Sequence, residues 1–122
     1  MPISMENVTI GGVEIDPSRM HAELRYALGL LSGKWKLEIM WHLYLRTHRF
    51  GELKRAVDGI SQHMLTNCLR ELEQDGLVSR VVFAEVPPRV EYSLTERSES
   101  LQPVIDALVR WAVTHRAVEQ DA

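Results

Sequence analysis

Apolar residues recur along this chain at two spacings, and the change from one to the other divides it into elements. Val8-Thr9-Ile10 and Val13-Glu14-Ile15 are short β-branched runs around Gly11-Gly12. They read either as a tight hairpin or as a frayed tail. Asp16-Pro17 follows as a helix cap with proline at the first helical position. Met20, Leu24, Ala27, Leu28 and Leu31 then keep a helical period, with Tyr26 and Leu30 on a second face. After Gly33, a second helix is predicted over about 34–46, with Leu37, Met40, Trp41 and Tyr44 as its stripe. A third covers about 50–57, with Phe50, Leu53, Ala56 and Val57 inward, and stops at Asp58-Gly59.

A fourth helix is predicted over about 61–75. Ser61 is its cap, and Ile60 and Leu65 stand at the two positions of a hydrophobic staple. Leu65, Leu69 and Leu72 form its inner row, and Gly76 ends it. Two helices joined by a short glycine-containing turn are the helix-turn-helix pattern. The spacing then drops to two. Leu77 to Ala84 and Val90, Tyr92, Leu94 read as strands around Glu85-Val86-Pro87-Pro88-Arg89, a hairpin with a proline-stiffened tip. A hairpin directly after such a helix is a wing. Thr95 caps a last helix with Leu101, Val104, Ile105, Leu108, Trp111 and Ala112 on its apolar face, and Pro103 should kink or restart it. The expected fold is mainly α with a small β hairpin, a winged helix-turn-helix over 20–118. Residues 1–19 are read as an extension and 119–122 as a tail.

The helical period turns Gln62, His63, Thr66, Asn67 and Arg70 outward if the leucines face inward. Gln and Asn match the edge of adenine, Arg that of guanine, and the Thr methyl meets the thymine methyl. A solvated polar face is the bland alternative, but the turn before this helix and the hairpin after it favour a helix that enters a major groove. Arg89, placed at the tip of the wing, suits a phosphate or a narrow minor groove. Ser61, Arg80, Lys54, Arg55 and Lys34, the last near a helix N-terminus, are further candidates for the DNA backbone. The broad apolar face of the last helix exceeds what a small domain can cover. Met20, Leu24 and Leu28 with Leu101, Ile105, Leu108 and Trp111 are therefore candidates for a homodimer interface. Tyr26, Trp35, Trp41, Tyr44 and Trp111 either fill the core and interface or line a cavity for a small-molecule effector.

Charge and composition narrow the function. The 122 residues suit one compact domain, and the net charge is −3. Residues 33–90 carry nine Lys/Arg against seven Asp/Glu, so the basic part coincides with the helix-turn-helix and the acidic excess lies at the two ends. No apolar run approaches the ~18 residues of a membrane span. The start of the chain lacks the pattern of a signal peptide, which leads us to expect a cytoplasmic protein. Cys68 is the one cysteine, and the histidines form no ligand pair, so neither a metal nor another cofactor is expected. A nucleophile elbow, a P-loop and paired catalytic carboxylates are all missing, which argues against an enzyme.

The residues Leu31-Ser32-Gly33-Lys34-Trp35, Arg49-Phe50-Gly51-Glu52-Leu53, Gly59 to Thr66, Leu69 to Val78 and the wing from Glu85 to Thr95 together resemble the HxlR-type regulators, a branch of the MarR-like winged helix proteins. The resemblance spans about 22–115. It implies a dimer through the first and last helices and operator binding by the helix that begins near Ser61, with Arg89 at the wing. It also implies control of nearby genes, often in response to electrophiles, oxidants or small metabolites. Many members place a sensing cysteine in the first helix, about thirteen residues before the tryptophan equivalent to Trp35. Here that position is Ala22 beside His21, so the thiol switch is absent there. The competing reading is a winged helix that binds a protein partner and no DNA, for which the acidic total charge speaks.

Overall fold

A computed structural model describes residues 6–121, with side chains as far as Arg116. Its contacts divide the chain into two compact units, one ending at Gly33 and one beginning at Lys34. In the first, strands β1 (Val8–Ile10) and β2 (Val13–Ile15) pair antiparallel, Ile10 opposite Val13. Gly11 and Gly12 take φ of 57° and 82°, the left-handed values that a two-residue hairpin turn demands. The Asp16 side chain accepts the Ser18 hydroxyl at 2.8 Å and the Ser18 amide at 3.0 Å, which together hold its carboxyl below the usual carboxylate range. One 3-10 turn then leads into α1 (Met20–Leu31). No residue of α1 is buried, and Leu24 and Leu28 are more than half exposed.

The second unit runs α2 (Lys36–Leu45), α3 (Phe50–Ala56), α4 (Gln62–Gln74), β3 (Val78–Phe83), β4 (Arg89–Leu94), α5 (Glu96–Glu99) and α6 (Gln102–Asp121). Its core is Ile39, Met40 and Leu43 of α2, Leu53 of α3, Leu65, Cys68, Leu69 and Leu72 of α4, and Leu77, Val78 and Tyr92 of the wing. Val57, Ile60 and Ile105 complete it. The inner stripe of α2 therefore differs from the sequence expectation, since Trp41 and Tyr44 face outward. The segment Lys36–Leu45 is apolar on almost every side, so period alone leaves its rotation undetermined.

The turn between α3 and α4 is built as expected. Gly59 has a φ of 85°, a value that strains any side chain. Ser61 Oγ accepts the Met64 amide at 3.1 Å, and Ile60 and Leu65 are both buried as a staple requires. Two further ties fix the wing to this scaffold. His48 and Tyr92 exchange backbone hydrogen bonds of 3.0 and 2.8 Å, which adds a one-residue third strand to the β3–β4 hairpin. Thr95 Oγ1 donates to the Gly76 carbonyl at 2.6 Å while accepting the Ser98 amide, so the end of α4 and the start of α5 share one side chain. Pro103 sits in the first turn of α6, where its missing N–H costs no bond, and the last helical segment restarts there.

Full burial of a leucine contributes about 1.5–3 kcal/mol. Leu72 is 0% exposed at the centre of the α4 inner row. Leu72→Ala should lower the unfolding free energy by about 2–5 kcal/mol, read from the denaturant midpoint at an unchanged slope. A loss below about 1 kcal/mol would mean that this face is loosely packed.

Candidate nucleic-acid interface

The outer side of α4 carries Gln62, His63, Thr66, Asn67 and Arg70. Gln62, His63 and Arg70 are exposed, and Thr66 and Asn67 are half-buried. Local bonds steady this row. Thr66 Oγ1 donates to the Gln62 carbonyl at 2.9 Å, and Asn67 Nδ2 lies 3.2 Å from His63 Nε2 one turn earlier. Gln62, Thr66, Arg70 and Glu73 form one wall of an open groove of about 520 Å³. Arg80 of β3 forms the other, with Phe50, Leu69 and Tyr92 on the floor. Arg70 and Arg80 enter none of the ion pairs among the described residues. Two guanidinium groups thus face one groove without an ion-pair partner, against the single carboxylate of Glu73, an excess of positive charge suited to a polyanion.

The remaining basic candidates differ in their freedom. Lys54 and Arg55 are exposed on α3. Lys34 is exposed too, but it precedes the N-cap Trp35 and its ammonium lies 4.6 Å over that ring, so it stands just outside the helix start assigned to it from sequence. Arg89 is not at the tip of the wing. It opens β4 opposite Phe83, and Val86 and the two prolines form the tip, Val86 being fully exposed. The Arg89 guanidinium stacks 4.1 Å over Phe83 and pairs with Glu85 at 3.4 Å and Glu91 at 3.6 Å.

One charged pair escaped the sequence reading altogether. Lys36 on α2 is 6% exposed and its Nζ meets Glu71 Oε2 of α4 at 2.8 Å. The signal was present, because Lys36 falls on the Ile39–Met40–Leu43 face once that stripe is phased correctly. Beside this pair, burial pushes the Cys68 thiol above its ordinary pKa, Glu71 raises it further and Lys36 opposes. The thiolate is thereby disfavoured. On α3, the Arg49 amide donates to Glu52 Oε1 at 2.8 Å and holds that carboxyl below its usual range, helped by Arg46. Among the described residues no group of three or more His, Cys, Asp or Glu could hold a metal ion.

Three of the aromatic candidates in the second unit lie on its surface. Trp41 and Tyr44 pair at 6.0 Å on the surface, and Trp111 stacks on His115 at 4.3 Å. All three are exposed, as is Tyr26 in the first unit. Tyr44 does line a shallow groove of about 590 Å³ with Thr47, Leu94 and Pro103. Of the interface candidates, Ile105 at 5% exposure belongs to the chain's own core, already covered without a second copy. Leu108 and Trp111 on α6 are at least half exposed. Leu101 and Met20 are partly exposed.

A buried helix-turn-helix with an outward polar row and an attached two-stranded wing defines a winged helix-turn-helix regulator. Residues 30–120 match the HxlR-like helix-turn-helix family, and the chain belongs to it. It is 41% identical over 101 residues to the HTH-type transcriptional regulator YtcD of Bacillus subtilis, which covers 83% of this chain and 80% of that one. A crystal structure of a MarR-family transcriptional regulator from Enterococcus faecalis V583 superposes with a TM-score of 0.75 at 44% identity, covering 84% of this chain and 94% of the other. The redox regulator HypR in its reduced form gives a TM-score of 0.77 at 40% identity, covering 82% and 99%. No helix among the described residues is long and apolar enough to cross a membrane.

The ion pair between α2 and α4 makes an asymmetric prediction. Glu71→Ala strands a buried ammonium and should cost about 1–3 kcal/mol, whereas Lys36→Met removes the buried charge and should be close to neutral. Thermal or denaturant unfolding of both variants decides this. Equal costs would mean that the pair is an ordinary surface contact.

Proposed function

We propose that the chain is a sequence-specific DNA-binding transcription regulator that acts in the cytoplasm as a homodimer on an inverted-repeat operator. The observation that carries this reading is the groove in which Gln62, Thr66 and Arg70 of α4 face Arg80 of the wing, with both guanidinium groups unpaired. In this reading the helix over 61–75 lies in the major groove. Gln62, His63, Thr66, Asn67 and Arg70 read base edges there, and Ser61 at its N-terminus lies against the phosphates. The wing over 84–90 follows the backbone or minor groove through Arg89, and Lys34, Lys54 and Arg80 neutralise phosphates.

Dimerisation gives the exposed apolar rows a use. Leu24 and Leu28 on α1 and Leu108 and Trp111 on α6 are at least half exposed, which a lone chain would leave in water. Met20 and Leu101 complete the proposed interface. Two-fold symmetry then sets half-sites about one helical turn, ~34 Å, apart. A small-molecule effector belongs to the same reading, and the groove beside Tyr44 is the space in which to look for it.

Selection from a random duplex library followed by anisotropy titration at two salt concentrations tests the reading. An inverted repeat should be enriched, its affinity should fall steeply with salt, and Arg70→Ala should cost about 1–3 kcal/mol and relax one base position. No enrichment and no salt dependence would overturn it in favour of a winged helix that binds a protein partner.

A further inference from the structure

Arg70 and Arg80 enter no ion pair among the described residues, but the guanidinium of Arg89 on the wing is already held. Across the β3–β4 pair, Arg89 lies over the Phe83 ring at 4.1 Å. Its Nη2 faces Glu85 Oε1 at 3.4 Å and its Nη1 faces Glu91 Oε1 at 3.6 Å. The side chain is 28% exposed, and its Nε is buried without a hydrogen-bond partner. These distances exceed the ~2.7–2.9 Å of a strong charge-assisted bond. The guanidinium is thus restrained by two carboxylates yet incompletely satisfied by them.

We propose that Glu85 and Glu91 gate Arg89, so that the wing engages only DNA able to draw the guanidinium away, and that these two acids thereby set the discrimination between operator and random duplex. The proposal rests on the reading that the chain binds DNA through α4 and the wing. For an average duplex, exchanging two carboxylates for one phosphate gains little, and the carboxylates then face the phosphate chain unpaired. A narrow minor groove concentrates negative potential and attracts arginine more strongly. Arg89 leaves its acids there and stays with them elsewhere. Affinity for random DNA is suppressed while the operator contact is kept, a repulsive element used for specificity.

The experiment compares the full chain with Glu85→Gln/Glu91→Gln on the selected operator and on a random duplex of equal length, across a salt series. The same pair of changes is also made in an Arg89→Ala background as a double-mutant cycle. Circular dichroism checks that each variant folds. With Arg89 present, freeing it should raise random-duplex affinity about 3- to 10-fold and steepen the random-duplex salt slope by about 0.9. Operator affinity should rise less, so the specificity ratio falls, and in the Arg89→Ala background both gains should largely vanish. The same gain without Arg89 would reduce the effect to lost bulk charge and overturn the gate. So would an unchanged random-duplex affinity, or a fall in operator affinity, since the acids would then be aiming Arg89 at DNA. Absence of salt-dependent binding by wild type and variants alike would overturn the DNA reading and the gate with it.

Discussion

Burial of the inner row of α4 is the constraint on which the rest of the second unit depends. Leu65, Cys68, Leu69 and Leu72 are all 9% exposed or less, packed in the same core as Leu53 of α3, Ile39 and Met40 of α2, Leu77 just before β3 and Val78 of β3. A helix of 13 residues is marginal alone in water. Its stability comes from this face, and fixing the inner face fixes the outer one. The polar row from Gln62 to Arg70 thus points outward because the leucines cannot. The Gly59 turn and the Ser61 cap set where the helix begins, and the Thr95–Gly76 bond ties its far end to the element after the wing.

Electrostatics divides the basic residues of this unit by their partners. Lys36 is consumed in the junction between α2 and α4, where its charge positions Glu71 and not a ligand. Arg89 is restrained within the wing. Arg70 and Arg80 line one groove with Glu73 and enter no ion pair among the described residues. A net charge of −3 is therefore a poor guide to what this surface attracts. Field strength at a groove follows the few unpaired charges that line it and falls off within about 8–10 Å at ordinary salt.

Much of this was legible in the chain. Gly59, Ser61 and the leucine spacing of α4 specify the helix-turn-helix because each local signal has a single structural solution: a left-handed residue, a cap, a one-sided stripe. At Gly11-Gly12 and Pro103 the chain left two readings each, a hairpin or a frayed tail and a kink or a restart, and the structure has the hairpin and the restart. The stripe of α2 was misread because the segment is apolar nearly all round, so Trp41 and Tyr44 could be inward by period and are outward in fact. Ile105 looked like interface because a helix with a wide apolar face does not say how much of it the chain itself will cover. The Lys36–Glu71 pair was missed with the phase of the α2 stripe, and the acids around Arg89 were missed for another reason. The first joins residues on different helices, and the others lie two and four residues from Arg89, where only the course of the hairpin brings carboxylate and guanidinium within 4 Å.

The most direct test of the central claim, that the outer face of α4 and the groove beside the wing form the DNA surface, is amide NMR shift mapping during titration with the selected duplex. The account predicts the largest perturbations at residues 61–70 and 78–90, with the buried amides of α2 from Ile39 to Leu43 little changed. Perturbations concentrated on the 8–15 hairpin or the exposed face of α6, with residues 61–70 silent, would contradict it.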